Sequence, residues 1–208
     1  MKKFVLKIVF YTQFFSICCF SCFAQEKSNF VFKNGEDEYE CYRIPAIIKL
    51  SNEDLLAFAE ARKKGCNDFG DIDLVMKKSS DNGKTWSGLT KVVDNGILKA
   101  GNPAPVVDLL HDRFPNGRIF LLYNTATTSE SDARKGTGVR EIWYITSTDN
   151  GKTWSHPANI TTSVHRPLAP TYNVAYNFTE DWRTNSLTPG HALQLIRGKN
   201  KGRIFVAA

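Results

Sequence analysis

The chain has 208 residues, of which 42% are apolar and 12% aromatic. This is enough apolar content to bury a core in one or two domains, and it excludes a disordered tail. The formal net charge is only +6, which is too mild an excess to indicate a partner made of nucleic acid.

The first 24 residues have the pattern of a secretory signal peptide. An apolar run over residues 8–23 ends in the letters SCFAQ, which predicts cleavage after Ala24. The run is shorter than the ~20 apolar residues of a membrane-spanning helix, so we predict no integral span in the mature chain. A lipid-modified Cys22 is the alternative. We expect export to the periplasm, the cell surface or the extracellular space. Three lysines precede the run: Lys2, Lys3 and Lys7.

The mature chain predicted in this way covers residues 25–208. It keeps 24 basic and 21 acidic residues, a net charge of +3, and two of the five cysteines, Cys41 and Cys66. These two can form one disulfide in an oxidising compartment, and two unpaired buried thiols are an equally good interpretation. Their spacing is not that of a zinc site.

An eight-residue phrase occurs twice, as SSDNGKTW at 79–86 and STDNGKTW at 147–154. Each copy follows a β-rich run and predicts a hairpin turn. The aspartate can accept hydrogen bonds from N–H groups of its own turn, and the glycine can take a positive φ. We predict that the tryptophan of each copy packs in the core. The residues concerned are Asp81, Gly83 and Trp86 in the first copy, and Asp149, Gly151 and Trp154 in the second.

The segments before each phrase repeat as well. PAIIKL and DLLAFAEAR match APVVDLL and GRIFLLYNTA, and GHALQLI with GRIFVAA begins a third copy. Helical periodicity is almost absent, so each unit is predicted to contain four antiparallel strands. Repetition of such units predicts an all-β fold of the propeller type, in preference to a two-sheet sandwich. The stretches 125–138 and 155–190 are predicted to be loops.

The letters YRIPAI at 42–47, followed by two boxes of the form Ser-x-Asp-x-Gly-x-Thr-Trp, resemble the sialidases, or exo-α-neuraminidases. The resemblance covers about residues 35–208. It implies the first two blades and the start of a third in a six-bladed β-propeller, so we expect this chain to be the N-terminal portion of a catalytic domain. Alone it should be inactive and should fold poorly, because apolar blade faces and strand edges stay open.

The resemblance also implies a role for two residues. Arg43 in the Arg-Ile-Pro motif matches an arginine that binds the carboxylate of sialic acid, a task that suits a guanidinium with two parallel N–H donors. Asp68 in the letters DFGD, 25 residues later, matches the general acid/base. To donate a proton it must be protonated, so we predict that partial burial raises the pKa of Asp68.

Two further residues are substrate-binding candidates. Arg62 aligns with an arginine that lines the sugar pocket in the family, and an ion pair with Glu60 is an equally good interpretation of it. Asn102, at the start of the second unit's first strand, is predicted to face the same space as Arg43. Some relatives have an acidic residue near this position that contacts the N-acetyl side of the sugar.

The mechanism that the resemblance implies is retaining hydrolysis of a terminal sialic acid by a tyrosine nucleophile. It requires no metal or organic cofactor. The substrates would be sialylated glycoproteins, glycolipids or oligosaccharides. A trans-sialidase shares every feature read so far, and a non-catalytic sialic-acid-binding propeller would keep the boxes without needing both Arg43 and Asp68.

Overall fold

Regular structure in the computed structural model, which describes residues 30–135, 137–164 and 186–208, is almost all β-strand. The predicted signal peptide lies outside the described residues, and so does much of the loop predicted over 155–190. Among the described residues, neither the length nor the hydropathy of any helix reaches that of a membrane span.

The strands form two units of four and the beginning of a third. The first unit contains β1 (Cys41–Lys49), β2 (Leu55–Arg62), β3 (Ile72–Ser79) and β4 (Thr90–Val93). The second contains β5 (Lys99–Asp108), β6 (Arg118–Ala126), β7 (Arg140–Ser147) and β8 (Ala158–Asn159). The third begins with β9 (Leu193–Gln194) and β10 (Ile204–Phe205).

Neighbouring strands within each unit pair antiparallel. One parallel pair, Ile72 with Lys99, joins β3 of the first unit to β5 of the second. The all-β prediction and the three repeated units are therefore confirmed.

Two short helices lie between the strands. The stretch predicted as a loop over 125–138 contains α1 (Glu130–Arg134), and β6 enters the stretch as far as Ala126. The Ser129 side chain accepts a hydrogen bond from the backbone N–H of Asp132 and so caps α1. The second helix, α2 (Thr161–Val164), follows β8.

The two repeated phrases fold into the same hydrogen-bonded turn. The carboxylate of Asp81 accepts from the backbone N–H of Thr85 at 2.9 Å and from its hydroxyl at 2.6 Å, and Asp149 makes the same bonds with Thr153 at 2.9 and 2.5 Å. The predicted positive φ of the glycines is confirmed, at 85° for Gly83 and 81° for the second copy. The preceding asparagines also have φ near 60°.

The core lies largely between the first two units, where apolar side chains of β2 and β3 meet those of β5, β6 and β7. The Trp154 ring is half-buried and packs edge-on against Phe58, with ring centroids 6.1 Å apart, which confirms the predicted packing for the second copy. Trp86 is half-buried and does not belong to the described core clusters. The second turn also lies against the first unit, since a Cβ added at Gly151 would stand 3.0 Å from Cδ1 of Leu56. Leu56 and Phe58 are fully buried, and complete burial of a Leu or Phe side chain stabilises a fold by about 1.5–3 kcal/mol.

Candidate active site

The Arg-Ile-Pro motif forms a β-bulge in β1. The pairing of β1 with β2 shifts register between Arg43 and Ala46, and Ile44 has φ 55°. A β-branched residue rarely adopts this left-handed conformation, because it is strained. Bulges change the direction in which a neighbouring side chain points, and Arg43 at this bulge lines a cavity that Arg62, Asp68 and Asn102 also line.

Arg43 meets Asp68 in this cavity. Nη1 of Arg43 donates to Oδ1 of Asp68 at 2.9 Å and to the Cys66 carbonyl at 3.4 Å. The Asp68 side chain is 74% exposed and that of Arg43 is 46% exposed, so both are accessible to a ligand. The two residues to which the resemblance gives a role are thus in direct contact.

A disulfide joins Cys41 in β1 to Cys66 in the loop before β3. It resolves the choice that the sequence left open between a bridge and two thiols. Each cysteine lies two residues before a candidate site residue, Cys41 before Arg43 and Cys66 before Asp68. The bridge therefore holds the segment 66–68 against the strand that carries Arg43.

Arg62 is buried behind Asp68, with its side chain only 1% exposed. Its Nη1 donates to Asp68 Oδ1 at 2.9 Å, to the Asn67 carbonyl at 2.8 Å and to the Cys66 carbonyl. Its Nε donates to Glu60 Oε2 at 3.2 Å, and Nη2 pairs with the same oxygen. Arg62 is thus the ion-pair partner of Glu60, and it also lines the cavity.

Asn102 lies at a second bulge, in β5. The pairing of β5 with β6 shifts between Gly101 and Ala104, and Asn102 has φ 53°. In the repeat it corresponds to Ile44, and Gly101 corresponds to Arg43. The prediction that Asn102 faces the same space as Arg43 is confirmed, because both line the cavity. Its Nδ2 donates to the Leu187 carbonyl at 2.9 Å.

The cavity has a volume of about 550 Å³, within the usual range for small-molecule sites. The far wall is formed by α1 and the start of β7. Arg140 there is 6% exposed, its Nη1 lies 3.7 Å from Glu130 Oε2, and it contacts the Ser186 hydroxyl. Within the described ranges, no group of three or more His, Cys, Asp or Glu side chains is placed to hold a metal ion.

The sequence profile of BNR repeat-like domains matches residues 53–208. This chain belongs to that family. An exo-alpha-sialidase of Aspergillus fumigatus is 32% identical over 180 residues, which cover 77% of this chain and 40% of that protein. Sialidase-2 of Cricetulus griseus is 32% identical over 176 residues, 79% of this chain and 41% of its own. The chain therefore spans about two fifths of these relatives, and the resemblance to sialidases is confirmed.

Solved structures of sialidases share the fold. The Hadza microbial sialidase Hz136 superimposes with a TM-score of 0.62 at 22% identity, covering 77% of this chain and 31% of that one. The intramolecular trans-sialidase from Ruminococcus gnavus gives 0.63 at 15% identity, covering 80% and 55%. The sialidase-type propeller is therefore confirmed as the fold of which this BNR-repeat chain forms a part.

The pKa of Asp68 corrects one prediction. The hydrogen bond from Arg62, opposed by partial burial and assisted by the charges of Arg43 and Lys99, lowers the pKa below its usual value. The prediction of a raised pKa for Asp68 is therefore wrong. The cause is that Asp68 lies at the surface between cations and is not enclosed by apolar groups.

Three residues next to the cavity were not predicted from the sequence as part of the candidate site: Glu60, which was named only as a possible partner of Arg62, and Lys99 and Gly101. Glu60 is fully buried and Lys99 is 6% exposed, with Nζ of Lys99 lying 3.4 Å from Oε1 of Glu60. Gly101 lies against both side chains. One signal was available: Glu60 interrupts the apolar run LLAFA, and a charged residue inside a buried strand must be paired. Nothing in the local sequence marks Lys99 or Gly101.

Proposed function

We propose that the full-length gene product is an exo-α-sialidase that hydrolyses terminal sialic acids from glycoproteins, glycolipids or oligosaccharides. One observation carries the proposal. Arg43 and Asp68 are 25 residues apart in sequence and meet at 2.9 Å on the wall of a cavity. A cation and a carboxyl group at this distance suit a substrate with a carboxylate beside its glycosidic bond. The sialidase relatives support the same substrate class.

Arg43 is the proposed carboxylate ligand. Among the described residues its hydrogen bonds are made by Nη1 alone, so the edge formed by Nε and Nη2 is open to a substrate. Two parallel N–H donors on that edge match the two oxygens of a carboxylate. One such contact contributes about 1.5–3 kcal/mol, which orients the sugar without holding it tightly by itself.

Asp68 is the proposed general acid and base. As the bond from the anomeric carbon to the glycosidic oxygen breaks, protonated Asp68 transfers its proton to that oxygen, and the electron pair of the bond leaves with the alcohol. The resulting Asp68 carboxylate then takes a proton from the water that attacks the anomeric carbon. General acid–base catalysis of this kind contributes about 10²–10⁴-fold. A tyrosine nucleophile, which the resemblance implies, is not assigned to any residue of this chain.

Substrate binding would itself favour protonation of Asp68. When a substrate carboxylate occupies Arg43, the positive charge of Arg43 is shared with a second anion that lies close to Asp68. Both effects raise the pKa of a carboxyl group. The substrate carboxylate would thus counteract the cations that lower the pKa of Asp68 and make Asp68 a better proton donor.

Arg62 and Asn102 are proposed to contact the sugar ring. Arg62 is almost fully buried, so only a small part of its guanidinium reaches the cavity. Asn102 is partly exposed, and its carbonyl oxygen can accept a bond from the sugar while Nδ2 stays on Leu187. Both contacts would set orientation and add less binding energy than Arg43.

Export and cleavage after Ala24 belong to the proposal. The lysine-rich start with its apolar run supports them. The Cys41–Cys66 disulfide supports them independently, because such bonds persist in oxidising compartments. N-terminal sequencing of protein recovered outside the cytoplasm tests this point, and a chain that retains residues 1–24 would contradict it.

The deciding experiment measures sialoside hydrolysis by the full-length gene product and by Asp68→Ala and Arg43→Ala. With sialyllactose, we expect Asp68→Ala to lower kcat/KM by about 10²–10⁴-fold. The loss should be smaller with an aryl sialoside, whose leaving group needs no proton. Arg43→Ala should mainly raise KM, by about tenfold or more.

The controls separate the alternatives. Lys49→Ala removes a cation of β1 that pairs with Glu53 outside the cavity, and it should leave the kinetics unchanged. Transfer of sialic acid to added lactose in preference to water would identify a trans-sialidase. Glycan binding without any turnover would identify a lectin and would contradict the role of Asp68.

A further inference from the structure

We propose that Glu60 is a positioning residue of this site: its buried carboxylate fixes Arg62 and Lys99, which in turn hold the segment 66–68 that carries Asp68. The inference rests on the proposed sialidase function. It concerns a residue that does not itself reach the substrate, since the Glu60 side chain has no exposed surface.

The two oxygens of Glu60 face two different parts of the site. Oε2 accepts from Nε of Arg62 at 3.2 Å and pairs with its Nη2. Oε1 lies 3.4 Å from Nζ of Lys99 and accepts from the backbone N–H of Asn102 at 2.9 Å. A carboxylate in the last half of β2 therefore connects the loop of the first blade with the bulge of the second.

Arg62 and Lys99, which Glu60 holds in place, both bind the segment that carries Asp68. Arg62 donates to the Cys66 and Asn67 carbonyls and to the Asp68 carboxylate, and Nζ of Lys99 donates to the Asp68 carbonyl at 3.1 Å. Without the Glu60 carboxylate, Lys99 would lose its buried counter-charge, and Arg62 would keep only the exposed carboxylate of Asp68. Buried unpaired charges are costly, so Arg62 and Lys99 would move toward water or turn fully toward Asp68.

Gly101 makes room for this arrangement. A Cβ at position 101 would stand 2.4 Å from Oε1 of Glu60 and 2.3 Å from Cε of Lys99. Gly101 is the residue of the second bulge that corresponds to Arg43 in the first. The second blade thus omits the side chain that the first blade offers to substrate, and Glu60 and Lys99 occupy the space beside it.

The test compares Glu60→Gln with wild type in the full-length gene product, using sialyllactose and an aryl sialoside. We expect kcat/KM for sialyllactose to fall about tenfold to a hundredfold, because small displacements of a catalytic group have effects of that size. The fall for the aryl sialoside should be several times smaller. A merely structural role would lower both rates equally, so the ratio of the two rates decides.

A second readout does not depend on turnover. Hydrogen–deuterium exchange should become faster in peptides that cover residues 63–71 of Glu60→Gln, and should stay unchanged in peptides from β7. Gly101→Ala, which alters no charge, should give the same pattern. Glu60→Asp replaces Glu60→Gln if the latter does not fold, since it keeps the charge and shortens the reach.

Glu53→Gln is the matched control, because Glu53 is an exposed glutamate at the other end of the β1–β2 hairpin. It should behave as wild type. Unchanged exchange and an unchanged rate ratio in Glu60→Gln would overturn the inference while leaving the sialidase function intact. If wild type hydrolyses neither substrate, the proposed function fails, and the exchange experiment still decides the positioning role.

Discussion

The two bulges of this chain have the same backbone conformation but different side chains. Each interrupts the innermost strand of its blade before a proline, and each has a residue in the left-handed conformation, Ile44 at 55° and Asn102 at 53°. The first bulge presents Arg43 to the cavity. The second has Gly101 at the corresponding place and receives buried side chains instead.

The first residues of β1 and β5 also occupy equivalent positions and have different side chains. Cys41 and Lys99 are the first residues of β1 and β5, and both hold the segment that contains Asp68. Cys41 does so through the disulfide to Cys66, and Lys99 through its bond to the Asp68 carbonyl. Repetition of the blade therefore supplies equivalent backbone positions, and the side chains at those positions differ between the two blades.

Of the substitutions that exchange residues between the two bulges, the one at Gly101 should reduce stability most. Gly101→Arg would force a long cation into the space of Glu60 and Lys99, so we expect the free energy of unfolding to fall by more than about 3 kcal/mol. The reverse change, Arg43→Gly, removes an exposed ion pair and should cost only about 1–2 kcal/mol. Urea unfolding measures both, and equal losses would contradict the asymmetry.

The start of β1 is held by a disulfide, whereas the start of β5 is held by the hydrogen bond of Lys99. Replacing Cys41 and Cys66 together by alanine should lower the free energy of unfolding by about 2–4 kcal/mol, because the cross-link restricts the unfolded chain. Thermal melts with and without a thiol reductant check this. The reductant should lower the Tm of wild type to that of the double variant and should leave the Tm of the variant unchanged. If the Tm of wild type stays the same although the disulfide is shown to be reduced, the prediction is refuted.

A reciprocal exchange tests the left-handed positions. Asn102→Ile places a β-branched residue at positive φ and removes the donor to the Leu187 carbonyl, so we expect a loss of about 2 kcal/mol. Ile44→Asn should instead gain up to about 1 kcal/mol, because asparagine tolerates this conformation. Chemical denaturation of both variants measures the difference, and a loss of stability in Ile44→Asn would argue against strain at the first bulge.

Substitutions in the two repeated turns should change stability least, and the change should be the same in both turns. The hydrogen bond from the Thr85 side chain lowers the pKa of Asp81 to about 2. Burial alone would raise the pKa of Asp149, but hydrogen bonds from Thr153 and Ser147 outweigh it and the pKa is also about 2. Unfolded aspartate has a pKa near ~3.9.

A folded pKa below the unfolded one adds stability above about pH 4, and that stability is lost as the pH falls toward 2. Asp81→Asn and Asp149→Asn should each reduce the acid-dependent loss of stability in this window by a similar amount. Urea midpoints measured from pH 5 to pH 2 check the prediction. A change in only one of the two variants would show that the turns are not equivalent.

Local sequence was sufficient for the fold class. Alternating apolar runs and the Ser-x-Asp-x-Gly-x-Thr-Trp turns depend on residues a few positions apart, and their hydrogen bonds close within the same turn. For the site, local sequence marked Arg43 and Asp68 through motifs that surround them. The pKa of Asp68 was predicted in the wrong direction, because its sign depends on which charges approach it in space.

The sequence by itself determined that this chain builds repeated four-stranded units, since strand periodicity and turn chemistry are short-range properties. Only the tertiary structure decided that Glu60 meets the Asn102 backbone 42 positions away and that Lys99 reaches Asp68 from 31 positions away. Those contacts depend on strand register and on how one blade packs against the next. The buried Glu60 carboxylate pairs with the groups of the second blade that this packing brings within hydrogen-bonding distance.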